Sequence, residues 1–369
     1  MMDQELEYEA VSCPLCNSAE YREVSQYIDW TYGVPGLFHA VRCTRCQHVF
    51  LNPRPTPQTM LAAYPADYSP HLHSVDTETL EGKSLGDNKL HKGPSSPATK
   101  MAKWKTLPLI AVLRKAWHHW LDDRSTWVPD RHDLSLLSES NNLEFPDGLE
   151  VGCGSGWFSQ HLQKQGWRMK AIEPSSAAAE RAHTQGVDVW CGSLQDYQSA
   201  PERFHAVFSW MVLEHLPFPQ DALKTFHRWL KPNGILVFSV PNHASLDRRL
   251  FRRYWVGYDG PRHFQHFEPK RLRQLLSDAG FEEIRIIHQP NLQYWFGSLK
   301  AVLMTLRSFC FSKQKLQAQI QKQAARSGWL MQQYHNGLSF PLRVFLTPIA
   351  QLLSCFRLSG RLTVIARKR

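Results

Sequence analysis

Residues 149–156 read LEVGCGSG: an apolar run, three glycines at alternate positions, and then the first turn of a helix-patterned stretch. No other feature narrows the fold as much. Glycine lets the backbone turn tightly out of a strand and lets a ligand lie against bare main chain. The helix that follows directs its first N–H groups at that ligand. A strand, a glycine turn and a helix in this order open a parallel α/β sheet.

The chain after the loop keeps that rhythm. Short apolar runs predict strands at 148–151, 168–173, 187–190, 204–210, 234–240 and 282–288. Amphipathic stretches predict helices at 157–165, 175–185, 219–230 and 268–279. Pro174-Ser175 opens the second helix, Pro232-Asn233-Gly234 closes the third, and Gly280 ends the fourth. The expected fold is α/β, a Rossmann-like sheet with helices on both faces. Residues 131–290 form its core and residues 362–369 its closing strand, around TVIAR (363–367). Residues 71–130 read as a polar linker with a helical region around Trp104, Leu107, Leu113, Trp117 and Trp120. Residues 291–361 read as a helical, basic insertion. Its parts are a Gln/Lys-rich stretch at 313–326 and an apolar stretch at 338–356 broken by Pro341, Arg343 and Pro348.

Charge is unevenly spread. The net charge is +10, yet the last acidic residue is Glu283, and residues 284–369 carry thirteen Lys or Arg. The whole excess therefore sits in the C-terminal part, which matches a solvated basic face or an anionic partner such as a membrane surface. The start, MMDQELEYEA, is acidic without an apolar run, so no signal peptide is expected. No apolar stretch is long enough to span a bilayer. A cytoplasmic protein is expected, peripheral on the membrane if 338–356 lies at its surface.

Cys13-Pro-Leu-Cys16 and Cys43-Thr-Arg-Cys46 are two matched knuckles with 26 residues between them. Each puts two thiolates on one side of a tight turn, and together they make a tetrahedral sulfur site suited to structural Zn2+. Residues 1–70 are accordingly expected to form a zinc-ribbon-like module. They hold more acids than bases over residues 1–50 and no basic-aromatic stripe, which argues against a nucleic-acid grip.

The ligand of the glycine loop follows from its spacing. A dinucleotide loop reads G-x-G-x-x-G, whereas here Gly152, Gly154 and Gly156 are spaced G-x-G-x-G behind Glu150. A pyrophosphate is disfavoured beside that carboxylate, and a cationic methionine group is not. Glu173, at the end of the next strand, suits the ribose hydroxyls of an adenosine of either kind. At this point residues 148–290 resemble a class I S-adenosylmethionine (SAM)-dependent methyltransferase of the type 11/type 23 group. The motifs are LEVGCGSG, AIEPS, GSLQDY, MVLEHL and LKPNGILVFSVPN. The resemblance implies SAM as cofactor, with Ser193 and Leu194 at the adenine and Ser209 nearby. The run from the knuckles into LNPRPTP, Tyr64 and Tyr68 resembles the zinc-binding N-terminus of some members, where the module covers the substrate side. One departure is His205, where the family often has Asp.

Methyl transfer depends on positioning, and a hydroxyl acceptor gains from a base. YDGPRHFQHFEP (258–269) resembles the family's PRHxxHF stretch. It offers His263 and His266 as base candidates and Arg262 to hold an anionic group. His215 is a further base candidate, and Trp210 and Tyr258 could wall the acceptor or pack in the core. The function implied is methylation of a small-molecule or lipid-linked acceptor, such as a sugar of cell-surface glycans. The alternatives are an RNA methyltransferase or a non-catalytic SAM-binding protein.

Overall fold

The computed structural model describes residues 6–64, 145–308 and 340–369, with backbone alone at 61, 307, 308 and 340–345. The chain divides into two units, and all described residues belong to the one made of residues 1–73 and 128–369. The linker and helix expected at 71–130, the stretch at 313–326 and Tyr68 lie outside the described residues.

The elements run β1 (Tyr8–Glu9), β2 (Tyr21–Tyr27), β3 (Phe38–Cys43), β4 (Val49–Leu51), β5 (Arg54–Pro55), β6 (Asp147–Val151), α1 (Trp157–Gln163), β7 (Arg168–Glu173), α2 (Ser176–Thr184) and β8 (Asp188–Cys191). They continue with β9 (Phe204–Trp210), α3 (Pro219–Trp229), β10 (Leu230–Pro241), α4 (Leu246–Phe251), β11 (Gln265–His266), α5 (Pro269–Asp278), β12 (Phe281–His288), α6 (Gln293–Ser308), α7 (Phe340–Cys355) and β13 (Arg361–Lys368).

Seven strands form one sheet in the order β12-β13-β10-β9-β6-β7-β8. β6 to β10 run parallel, and β13 is antiparallel to both of its neighbours. Strands covered on both faces read as continuous apolar runs, and β9 (FHAVFSW) is buried over its first six residues. On one face Leu149, Val207, Leu236 and Val364 pack with Leu223, Phe226 and Trp229 of α3 and with Leu272, Leu275 and Leu276 of α5. On the other, Phe158 and Leu162 of α1 meet Phe208 and Val237. The strand order reverses between β6 and β9, which opens a crevice at their carboxyl ends. One difference from expectation is the start of β10 at Leu230. An irregular register between Leu230 and Ile235 carries the Pro-Asn-Gly turn within the strand.

The N-terminal residues, expected as a zinc-ribbon-like module, share a sheet with the later chain. Their sheet has the order β11-β4-β3-β2, so its edge strand β11 comes from a loop more than two hundred residues later. Gln265 pairs with Phe50 and His266 with Val49. The seam is also polar. Arg42 donates to both carboxylate oxygens of Glu268, at 2.6 and 3.3 Å. Trp30 Nε1 donates to the Arg253 carbonyl and Arg54 to that of Pro217. Tyr27, Phe38 and Leu51 share one apolar cluster with Trp255, Tyr258 and Phe264.

Hydrogen bonds from His243 and Arg42 outweigh burial at Glu268 and hold its carboxyl down at about 2. Its stabilising effect is therefore complete above the unfolded value of about 4.3 and is lost as pH falls from there towards 2. After allowing for solvent screening of this partly exposed pair, Glu268→Gln should cost about 1–2 kcal/mol at pH 7. Urea unfolding should show the same gap at pH 6 and a closing gap below pH 4; a gap that closes by pH 5.5 would rule this account out.

Candidate active site

The glycine loop leaves β6 and wraps the start of α1. Gly152, Gly154 and Gly156 all have positive φ (74°, 55° and 86°). At Gly152 a Cβ would collide with the Val212 side chain, so the loop and the turn after β9 are pressed together there. Glu173 ends β7 and is nearly buried. Its two oxygens accept from Gly154 N–H (2.8 Å) and Ser175 N–H (2.9 Å), which fixes the carboxylate beside the loop. Burial pushes its pKa up against those donors.

Glu150, expected as a cofactor contact, is tied to the helix that follows the loop. It lies buried under the loop, where Oε2 accepts from the N–H (3.1 Å) and the hydroxyl (2.6 Å) of Ser159 in the first turn of α1. A carboxyl here complements the helix N-terminus, while burial pushes it up to about 8. Ser193 donates its hydroxyl to Asp196 (2.6 Å) and shapes the turn after β8, and Leu194 packs into the core. Ser209 is buried on β9, and its hydroxyl has no partner among the described residues. Trp210 packs edge-on against Phe158. His205 Nδ1 accepts from the Asp147 N–H, a structural role.

Beyond the loop, a turn at Leu213–His215 brings Glu214 and His215 to His263. Glu214 is fully buried, and neither of its oxygens has a hydrogen-bond partner among the described residues. His263 Nδ1 lies 3.0 Å from the Gly257 carbonyl, and its Nε2 lies 3.9 Å from Glu214 and 3.7 Å from Asp259. His215 Nδ1 lies 3.1 Å from the Arg262 carbonyl and 2.9 Å from the Tyr64 hydroxyl. A carbonyl only accepts, so His263 carries its proton on Nδ1 and its lone pair on Nε2, whereas His215 Nδ1 can donate to the Arg262 carbonyl or accept from the Tyr64 hydroxyl. The two rings meet edge to face at 4.6 Å. Burial and the neighbouring His263 push His215 down to about 3, burial also lowers His263, and burial lifts Glu214 to about 8. At neutral pH the two imidazoles are uncharged. They can take a proton or donate a lone pair to a cation.

The other expected acceptor-side residues have different surroundings. His266 sits on β11 among Tyr27, Tyr258 and His243, with a buried Nε2 that has no partner among the described residues. Tyr258 is a core residue stacked on Tyr27 at 4.3 Å. Arg262 is completely buried, and the anions it holds are the chain's own. It donates to Asp259 (2.9 and 2.8 Å), to Asp29 (2.9 Å) and to the Ala63 carbonyl (3.1 Å), beneath the ring of Tyr32. Asp29 also accepts from the N–H groups of Thr31, Tyr32 and Val34. Sequence reasoning overlooked Asp29, Asp259 and His243 and gave Tyr64 no chemistry. The available signals were Asp259 three residues before Arg262 and the Asp-x-Thr-Tyr-Gly turn at Asp29.

The four knuckle cysteines converge. Cys13 and Cys46 sulfurs are 3.5 Å apart, as are those of Cys16 and Cys43. That is close to the edge of a tetrahedron with metal–sulfur bonds of about 2.3 Å. The two turns match: Asn17 N–H donates to the Cys13 carbonyl and Gln47 N–H to that of Cys43, and Asn17 and Gln47 both have positive φ.

Residues 112–286 match a family described as "Methyltransferase domain" (type 23). A ubiquinone biosynthesis O-methyltransferase of Pseudomonas syringae pv. tomato is 32% identical over 145 residues, covering 36% of this chain and 62% of that one. One from Pseudomonas paraeruginosa is 31% identical over 196 residues, 48% of this chain and 84% of the relative. A malonyl-acyl-carrier-protein O-methyltransferase of Yersinia pestis is 31% identical over 123 residues, 33% and 45% respectively. The chain thus spans less than two thirds of the first and last of these.

Removing the Arg262 side chain would strand two buried carboxylates. Arg262→Ala should cost about 3–5 kcal/mol in unfolding free energy, and Arg262→Lys, which lacks the planar fork, should recover less than half. A denaturation midpoint unchanged by Arg262→Ala would contradict the clamp.

Proposed function

The chain belongs to the class I SAM-dependent methyltransferases, and we propose that it transfers the methyl group of SAM to an oxygen of a small-molecule acceptor. One observation carries this reading. Val212 presses on Gly152 of the glycine loop, and the turn that follows Val212 carries Glu214 and His215 to His263, so the two groups are neighbours along one short segment. The first group suits an adenosine and a methionine, and the second suits a hydroxyl that must be held and relieved of its proton. Displacement at the sulfonium methyl then needs the two ends aligned, which positioning alone can accelerate greatly. The two kinds of relative named above are O-methyltransferases with different acceptors, which supports oxygen as the acceptor atom and leaves its carrier to experiment.

The four cysteines are read as a structural Zn2+ centre, since a closed sulfur shell leaves no position for substrate. Within the acid-free residues 284–369, α6 and α7 are read as facing an anionic membrane that presents a lipid-linked acceptor, whereas β13 is buried in the sheet. Exposed Leu299 and Leu303 on α6 and exposed Ile349, Leu352 and Phe356 on and just after α7 support this. No helix among the described residues is long and apolar enough to cross a membrane.

Incubation with methyl-labelled SAM and fractionated extract should put label in a small-molecule or lipid fraction. Label in RNA or protein, or none in any fraction, would sink the proposal. Glu173→Ala should weaken SAM binding at least tenfold by calorimetry, about 1.4 kcal/mol. His263→Ala should leave SAM binding within twofold and abolish transfer. The purified chain should also float with vesicles rich in phosphatidylglycerol and stay behind with neutral ones; equal behaviour would remove the membrane role.

A further inference from the structure

We infer that Glu214, His215 and His263 form a site for a first-row divalent cation, separate from the four cysteines. Each residue offers one ligand atom, and these atoms lie within 4.8 Å of one another. Around an ion with bonds of ~2.1 Å, ligand atoms stand ~3–4 Å apart. The separation of 3.9 Å between His263 Nε2 and Glu214 Oε1 is already of that size.

Three independent features favour a cation over chance proximity. The first is Glu214, fully buried with both oxygens lacking partners among the described residues. A buried carboxyl of this kind is costly unless something meets it, and an unseen ion is among the few remedies. The second is the anchoring of both imidazoles. Gly257 presents a main-chain carbonyl to His263 Nδ1, which leaves the Nε2 lone pair on the side of Glu214, and His215 Nδ1 is held between the Arg262 carbonyl and the Tyr64 hydroxyl. Metal-binding histidines are held in this way by their outer partners. The third is the charge around the cluster. Asp259 and Arg361 are the charged groups that act on Glu214, and Asp259 stands 3.7 Å from His263 Nε2. Arg262 is already shared between Asp259 and Asp29. The cluster therefore has the Asp259 carboxylate beside the His263 ring.

Two nitrogens and one oxygen suit Zn2+, Fe2+, Co2+ or Mn2+ better than a soft ion or a hard ion that wants only oxygen. Three protein ligands also leave coordination positions open, unlike a closed structural shell. On the function proposed above, an open position would seat the acceptor's oxygen. That role rests on the proposal; binding of the ion does not.

The test uses the full chain, stripped of metal and titrated with Co2+. Two equivalents should bind. One should show the intense sulfur-to-cobalt charge-transfer bands of a cysteine site. The other should show only weak visible bands, as expected of nitrogen and oxygen ligands. Glu214→Gln, which keeps the side chain's size, should lower bound Co2+ from two equivalents to one and spare the charge-transfer bands. Cys43→Ser should remove the charge-transfer bands and leave the weak ones. Binding of a single, cysteine-type equivalent by the unaltered chain would overturn the inference, and so would two equivalents retained in a folded Glu214→Gln. Should Glu214→Gln not fold, the count and spectra of the unaltered chain decide alone. Methyl transfer with one equivalent bound would sink the cation site and spare the methyltransferase reading. Two equivalents with no transfer to any fraction would do the reverse.

Discussion

A single buried guanidinium lies at the centre of the contacts that join the two halves of this unit. Arg262 reaches Asp29 and the Ala63 carbonyl on the N-terminal side and Asp259 in its own loop. Its main-chain carbonyl meanwhile faces His215. One residue thus ties the cysteine-bearing sheet to the loop and orients an imidazole in the crevice. Burying such a charge is expensive, and two carboxylates with a full set of hydrogen bonds are what make it tolerable. Burial disfavours the Asp259 carboxylate, yet Arg262 holds it well below the usual range, so the pair stays ionised at any ordinary pH.

The two ends of the crevice are built by different means. The cofactor end rests on consecutive strand–turn–helix units, with Glu173 and Glu150 each tied to main-chain N–H groups. Its geometry is local, and the parallel sheet fixes it. The proposed acceptor end is assembled from a turn after β9, the loop around Gly257 and Asp259, and Tyr64 from the N-terminal part. It has no shape until all three are in place. Members of this family can therefore keep one cofactor end while the acceptor end changes with the segments that surround it.

The same division decides what could be read beforehand. β7 and β9 were legible to the residue because their apolar runs end at charged or turn residues, and the cysteine knuckles announced themselves by spacing. The tie from Glu150 to Ser159 was not legible, because a carboxyl before a glycine loop looks the same in sequence whether it faces a ligand or caps a helix. Arg262 looked like a substrate clamp because its partner Asp29 lies far away in the chain. For His266, the pattern PRHFQHF carries no sign that two of its residues would complete a sheet begun by residues 21–51. Long-range pairing leaves no local trace, and it is long-range pairing that builds the proposed acceptor end.

The edge strand β11 has one more consequence. Its two residues point to opposite faces, Gln265 to His48 (2.8 Å) and His266 to the rings of Tyr27, Tyr258 and His243. A one-residue insertion or deletion between β10 and β11 that was absorbed by slipping this strand would exchange those faces, putting an amide among the aromatics and an imidazole at His48. Changes of loop length here are thus filtered by parity: an even change can preserve the pleat, whereas an odd one must be taken up elsewhere in the loop.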